Sequence, residues 1–450
     1  MGPAKTKRRT RKRDSLYDRT KSIGRLWEAW GAVYENALAS RASQTRSDAK
    51  EYAAKARVRI AAIGRKLARE EFVFQPQKGV LIEKKAKGTK RPVVIAPIDS
   101  RIVQRAILDT LQEIPAIRSS LIRGFNFGGV PGKGFGVPGA ALNALQAVQT
   151  KPYYIRTDIK SFFTRVPRER AISIILNQVV DAKFQKIVTD AVTTEIADAE
   201  TYGEDLQLFP IADEGVAQGS CLSPLLCNLL LDNFDQAMNG RGVVTIRYID
   251  DFLILAKDKK SAFAAYRSAC NLLAKLGLNA YDPELPADKG KAEHGQVTAG
   301  IKFLGCEIRP DRIRPSRENW RGLITKLNEI FDESAKSVNR PAEAQRKHLT
   351  YAETTIRASK TVQGWANTFG FCTDDQLMES VDIEVTDAFS GYNRRVRSII
   401  ERHKPIDERK ALGVFSIQDR VSPPERAKAK DIISAGASGE KSKTVLPVVR

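Results

Sequence analysis

The sequence predicts an α+β fold on three observations. Apolar residues recur at helical spacing toward both ends of the chain, the middle carries short β-rich runs bounded by Gly, Pro and Asp, and 42% apolar residues in a 450-residue chain suffice for a sizeable core. Residues 1–14 read as a disordered basic arm, with seven Lys or Arg before Asp14 and almost nothing apolar. Residues 15–75 read as a helical segment, a packing helix pair with Leu26, Trp27, Trp30 and Val33 on one stripe.

From Val80 to Pro97 the pattern turns to β alternation around KKAKGTKRPVVIAP, with Gly88 and Thr89 marking a hairpin turn. Helical spacing returns over Arg101–Leu111. The segment from Gly124 to Gly139 then holds seven glycines, a loop that other groups can approach closely, followed by a short helix. YYIRTDI (153–159) reads as a buried strand, 167–198 as helices, and VVTIRYIDDFLILAK (243–257) as two apolar strands flanking an acidic turn. Beyond Lys302, KFLGCEIRPDRIRP predicts another hairpin, and Trp320, Leu323, Ile324, Leu327, Ile330 and Phe331 fit one face of a long amphipathic helix. The predicted divisions are 76–300, 301–404 (hairpin plus helical domain) and a polar tail over 405–450.

The formal charge of +21 implies a polyanionic partner, because Lys and Arg gain affinity by releasing counterions from phosphates. Nucleic acid is the expected partner. There is no apolar run of some 18 residues and no apolar stretch after the basic N-terminus, which predicts a cytoplasmic protein without membrane attachment. Five scattered cysteines and His294, His348 and His403 form no ligand pattern, so neither zinc nor disulfides are expected.

In RYIDDFLILA, Asp250 and Asp251 interrupt an apolar β pattern at a turn. Two neighbouring anions there raise each other's pKa unless a cation is present, and a divalent metal resolves the conflict. An Asx-type turn would use the same residues. Asp158 ends the strand YYIRTDI, where it completes a carboxylate set suited to two-metal phosphoryl transfer or caps the next helix. GFGVPG (134–139) formally satisfies G-x-G-x-x-G, but no apolar strand precedes it, which argues against a dinucleotide site.

The ordered series resembles the reverse transcriptases, among them the bacterial group II intron, retron and defence-associated enzymes. GTKRPVVIAPIDSRIVQRAI (88–107) is similar to the fingers motif, DIKSFF (158–163) to palm motif A, AQGSCLSPLLCNLLL (217–231) to motif B, YIDD (248–251) to Y-x-D-D, and KFLGCEI (302–308) to the primer-grip hairpin. The resemblance implies a right-hand polymerase: fingers and palm with an antiparallel palm sheet over 76–300, a helical N-terminal cap, and a helical thumb. It implies two Mg2+ ions, with Mn2+ as an alternative, held by Asp158, Asp250 and Asp251 with Ile159 at the same site. Arg91 would clamp the incoming triphosphate, Lys84 or Lys90 would add charge, and Phe163 would exclude a 2′-hydroxyl unless it is simply core. Gln218 and Gly219 would lie along the nucleotide, and Tyr248 beside the primer terminus.

Partners implied are an RNA template, a DNA primer or product, and dNTPs. Ile249 stands where many bacterial relatives carry Ala, and Cys221 where many carry Pro. The short stretch after the core favours a standalone enzyme of antiphage defence copying a structured non-coding RNA. TVQGWANTFGF (361–371) resembles a maturase-like region, and VTAG (297–300) is an imperfect match to the retron thumb signature. An intron maturase or RNA chaperone, a retron enzyme and template-independent synthesis therefore stay open, as does oligomerisation.

Overall fold

The computed structural model describes residues 15–40, 42–83, 90–193, 195–210, 214–240, 242–414, 429–431 and 433–434. The chain divides into two units, Met1–Ile313 and Arg314–Arg450. The basic arm of residues 1–14 and the tail beyond 434 lie outside the described residues.

The first unit opens with three helices where a pair was expected: Leu16–Lys21, Ile23–Leu38 and Ser43–Ala68. Ser22 explains the extra break, because its hydroxyl accepts from the Arg25 amide and starts a new helix. Leu26, Ala29, Trp30 and Val33 form the buried stripe of the second helix, whereas Trp27 stays partly exposed. That helix packs on Ile98–Gln112, which buries Ile102, Val103, Ala106, Ile107 and Leu111.

β1 (Lys78–Glu83) and β2 (Lys90–Ile95) form an antiparallel hairpin in which Glu83 faces Lys90. The expected turn at Gly88 and Thr89, and Lys84 with it, falls outside the described residues. The glycine-rich segment is only partly loop, since a helix over Gly136–Val148 begins inside it. A Cβ at Gly139 would lie 2.0 Å from the Gly134 carbonyl oxygen, so glycine there lets the loop fold back on its own helix.

The central sheet contains β3 (Tyr153–Asp158), β4 (Val244–Tyr248), β5 (Asp251–Ala256) and β6 (Glu293–Gln296), in the order β4-β5-β3-β6 and antiparallel throughout. β5 is fully apolar after Asp251 because it lies inside the sheet while the helix Lys259–Ala274 packs on it and on β3. Its residues Phe252 to Ala256 are buried. β6, with the sequence EHGQ, carries no strand signal of its own and forms because its backbone completes the edge of β3.

A short hairpin, Ile301–Phe303 with Cys306–Arg309, closes the first unit. The sequence grouped it with the helices that follow. It belongs instead with the sheet-bearing unit, where Ile301, Phe303, Cys306 and Ile308 are buried and Cys306–Arg309 meets the helix Gly136–Val148. The second unit is helical: Arg317–Ser337, Pro341–Arg346, Tyr351–Phe369, Asp375–Ile400 and Pro405–Leu412. Leu323, Leu327, Ile330 and Phe331 are its buried stripe, and Phe331 stacks on Tyr392 with ring centroids 4.6 Å apart. The start of the expected tail is therefore a helix, with Ala411 buried in the same core. No described helix is long and apolar enough to cross a membrane.

Candidate active site

Antiparallel register brings the three predicted aspartates together. Asp158, the last residue of β3, pairs with Asp251, the first of β5, and Tyr248 ends β4 opposite Asp251. Only Ile249 and Asp250 span the turn, and the Ile159 amide donates to the Asp250 carbonyl oxygen at 3.0 Å. Asp158 does not cap the following helix, whose N-cap is Ser161. The charge of Asp158 acts on the Asp250 carboxyl across the turn.

Burial, and then the negative charge of Asp158, pushes the Asp250 carboxyl well above the ordinary carboxylate range. Burial also raises Asp251, to about 6, although Arg156 acts against the shift. Two cations partly compensate. Lys291 Nζ lies 3.2 Å from Asp158 Oδ2, and Arg156 Nη1 lies 3.9 Å from Asp251 Oδ1 while its Nε reaches Glu293 at 3.2 Å. Neither cation could be anticipated from local pattern, because Lys291 is 133 residues from its partner.

Among the described residues no three His, Cys, Asp or Glu side chains are gathered closely enough to cage an ion as they stand. The donor set nevertheless suits a hard divalent cation, being all carboxylate oxygen. Asp251 Oδ1 is buried and has no hydrogen-bond partner, since 3.9 Å from Arg156 is too long for one. An unpaired buried oxygen beside a carboxyl that burial holds above its ordinary range is a site short of positive charge.

A pH dependence follows. Carboxyls raised in the folded state keep protons that the unfolded chain has already released, so the metal-free fold loses stability as pH rises from the ordinary aspartate range toward about 7. We expect the melting temperature of the sheet-bearing unit to fall by on the order of 5 °C between pH 5 and pH 8, and millimolar Mn2+ to reverse the fall at pH 8. Calorimetry with and without the ion checks it; a flat profile would refute the electrostatic reading.

A second group gathers apart from the aspartates in a cavity of about 580 Å³. Arg91, Phe163, Gln218 and Gly219, all singled out in the sequence, line it together. Arg101, Arg105 and Asn36 line it too and were not anticipated. The periodic apolar stripe of Ile98–Gln112 drew attention to the helix's core face, whereas Arg101 and Arg105 lie one turn apart on its other side. The Val94 amide donates to the Gln218 carbonyl at 2.7 Å, and Gly219 has φ +120° with no room for a Cβ beside the Val94 carbonyl. β2 and the Gln218 loop are thereby locked as one wall. Lys90 is outside this group, ion-paired with Asp205.

Residues 82–308 match the family described as "Reverse transcriptase (RNA-dependent DNA polymerase)". Among curated relatives, Protein YkfC of Escherichia coli is 26% identical over 266 residues, covering 51% of this chain and 66% of that one. An uncharacterized 91 kDa protein in a cob intron of Schizosaccharomyces pombe is 28% identical over 174 residues, covering 38% of this chain and 20% of that one. The chain thus spans less than two thirds of either relative's length. Among solved structures, apo telomerase from Candida tropicalis aligns at a TM-score of 0.40 and 14% identity, covering 80% of this chain and 67% of that one. A Cas6-RT-Cas1–Cas2 complex aligns at 0.34 and 20%, covering 59% and 27%. The family match covers half of the chain and takes in all three aspartates and the residues of the neighbouring cavity except Val33 and Asn36, so the chain belongs to the reverse transcriptases.

Proposed function

We propose that this chain extends a DNA strand from dNTPs on an RNA template, with two divalent ions, Mg2+ or Mn2+, held by Asp158, Asp250 and Asp251 and the backbone at Ile159. The observation that carries the proposal is the register that sets Asp158 opposite Asp251 with Asp250 in the intervening turn. Bound there, the ions would ease deprotonation of a 3′-hydroxyl and offset charge on the leaving pyrophosphate. Binding requires the Asp250 carboxyl, raised by burial, to give up its proton.

The remaining work falls to the chain itself. Arg91, Arg101 and Arg105 offer guanidinium groups for triphosphate oxygens, and Gln218 and Gly219 form the wall along the nucleotide. Tyr248 ends β4 next to the turn, and in this reading it packs beside the primer terminus. Phe163, half-buried in the same cavity, narrows the space where a 2′-hydroxyl would sit. Phe163→Ala is expected to raise ribonucleotide incorporation relative to deoxynucleotide by about 10- to 100-fold. Competing-substrate extension assays measure the ratio, and an unchanged ratio would reduce Phe163 to a packing residue.

We read the template as a structured RNA. The exposed face of Ser43–Ala68 supports this, since it presents Lys50, Lys55, Arg57, Arg65 and Lys66 with no ion-pair partner among the described residues. Antiphage defence in the cytoplasm belongs to the same proposal and rests on the motif resemblance alone. The intron origin in the name of the fission yeast relative favours a second reading, an RNA-binding splicing factor. Sequencing of nucleic acid bound to protein from cells separates them. cDNA of defined sequence present with wild type and absent with the Asp250→Asn, Asp251→Asn chain supports the polymerase; bound RNA without DNA in both supports the splicing factor.

A further inference from the structure

The turn that carries Asp250 has an improbable first residue. Ile249 has φ +60°, a region that branched side chains avoid and that two-residue hairpins ordinarily fill with glycine. Something must hold it there, and the surroundings identify what does. Arg247 Nη1 donates to the Ile249 carbonyl at 2.8 Å, and the Ile249 amide donates to Asn126 Oδ1 at 3.4 Å. Both backbone groups of the strained residue are thus taken by buried side chains.

Those side chains are themselves fixed. Arg247 is fully buried and makes a two-pronged pair with Asp235, Nε to Oδ1 at 2.8 Å and Nη2 to Oδ2 at 2.6 Å, while Nη1 also donates to Asn228 Oδ1 at 3.1 Å. Asn228 Nδ2 then donates to the Gly128 carbonyl at 2.9 Å, and Asn126 Nδ2 donates to the same oxygen at 3.2 Å. Backbone bonds from Arg247 N to Phe125 O and from Phe127 N to Arg247 O, both 2.8 Å, stitch this loop to β4. Gly128 and Gly129 make room for the isoleucine: a Cβ at Gly128 would lie 2.7 Å from Ile249 Cγ1, and one at Gly129 would lie 3.2 Å from its Cδ1.

We propose that Arg247, Asp235, Asn228 and Asn126 are positioning residues, a buried latch that keeps Ile249 left-handed and so fixes where Asp250 and Asp251 stand relative to Asp158. An ion pair that merely filled the core would not need a guanidinium nitrogen aimed at the turn carbonyl, nor two asparagines meeting on one glycine carbonyl. Because the latch acts on the turn, it rests on the polymerase reading only for its consequence in catalysis.

The test uses the full chain carrying Asn126→Ala or Asn228→Ala, each alone and combined with Ile249→Gly. Glycine adopts positive φ without strain, so it should partly replace the latch. We expect each asparagine variant to lower kcat for primer extension by about 10-fold or more with KM for dNTP within about twofold, and to weaken Mn2+ binding in the presence of dNTP. Adding Ile249→Gly should recover kcat and Mn2+ affinity at least about threefold while leaving the melting temperature unrestored.

A structural role alone predicts that activity tracks the melting temperature and that Ile249→Gly adds to the damage; that outcome overturns the proposal. Two asparagine sites guard against one variant failing to fold. If wild type binds Mn2+ but extends no primer, the polymerase reading fails while the Mn2+ arm still decides the latch.

Discussion

Asp250→Asn is expected to abolish primer extension, by about three orders of magnitude or more, and to raise the melting temperature of the metal-free protein. The two effects share one cause. In the folded chain Asp250 is half-buried and faces the negative charge of Asp158, so its ionised form is disfavoured without a cation. An amide of the same shape removes the repulsion and with it the pH-dependent penalty. The same amide carries no charge to hold a divalent ion, and losses of that size are usual when one member of a catalytic unit is removed. Extension assays and calorimetry on one preparation check both halves. An inactive variant that is also less stable would mean that Asp250 is structural.

Asp235→Ala is expected to destabilise the sheet-bearing unit by about 3–5 kcal/mol, because it leaves the Arg247 guanidinium buried without its counter-ion. Asp235 itself is buried, and burial raises its carboxyl while Arg247 pulls the other way. The pair therefore stands or falls together. Replacing both partners by apolar residues of similar volume should cost far less than either single change, although it would loosen the Ile249 turn. Urea unfolding of the single and double variants measures the coupling. Equal losses in Asp235→Ala and in the double replacement would show that the ion pair does not matter.

Much of this was legible in the sequence, and the exceptions follow a pattern. The strands ending at Asp158 and flanking Asp250 were clear because apolar β runs stopped at carboxylates, and the amphipathic stripe from Leu323 to Phe331 was clear from its spacing. Within the glycine-rich segment, Gly128 and Gly129 are where the palm approaches closely. What local pattern could not show was partnership across long separations: Lys291 with Asp158, Arg156 with Glu293, or β6 on the edge of β3.

Arg247 did leave a signal. It is the single charge inside the apolar run VVTIRY, and a charge in a buried strand needs a buried partner, as Asn228 in SPLLCNLL also suggests. Lys90 was expected beside the triphosphate because its charge suited the role, but at its position on β2 it meets Asp205.

The measurement that tests the central claim most directly is extension of a DNA primer annealed to a defined RNA, with purified wild-type chain, four dNTPs and Mg2+, beside Asp250→Asn. The account predicts full-length DNA complementary to the RNA with wild type and none with the variant. RNA bound tightly by both proteins with no nucleotide added by either, in Mg2+ or Mn2+, would contradict it.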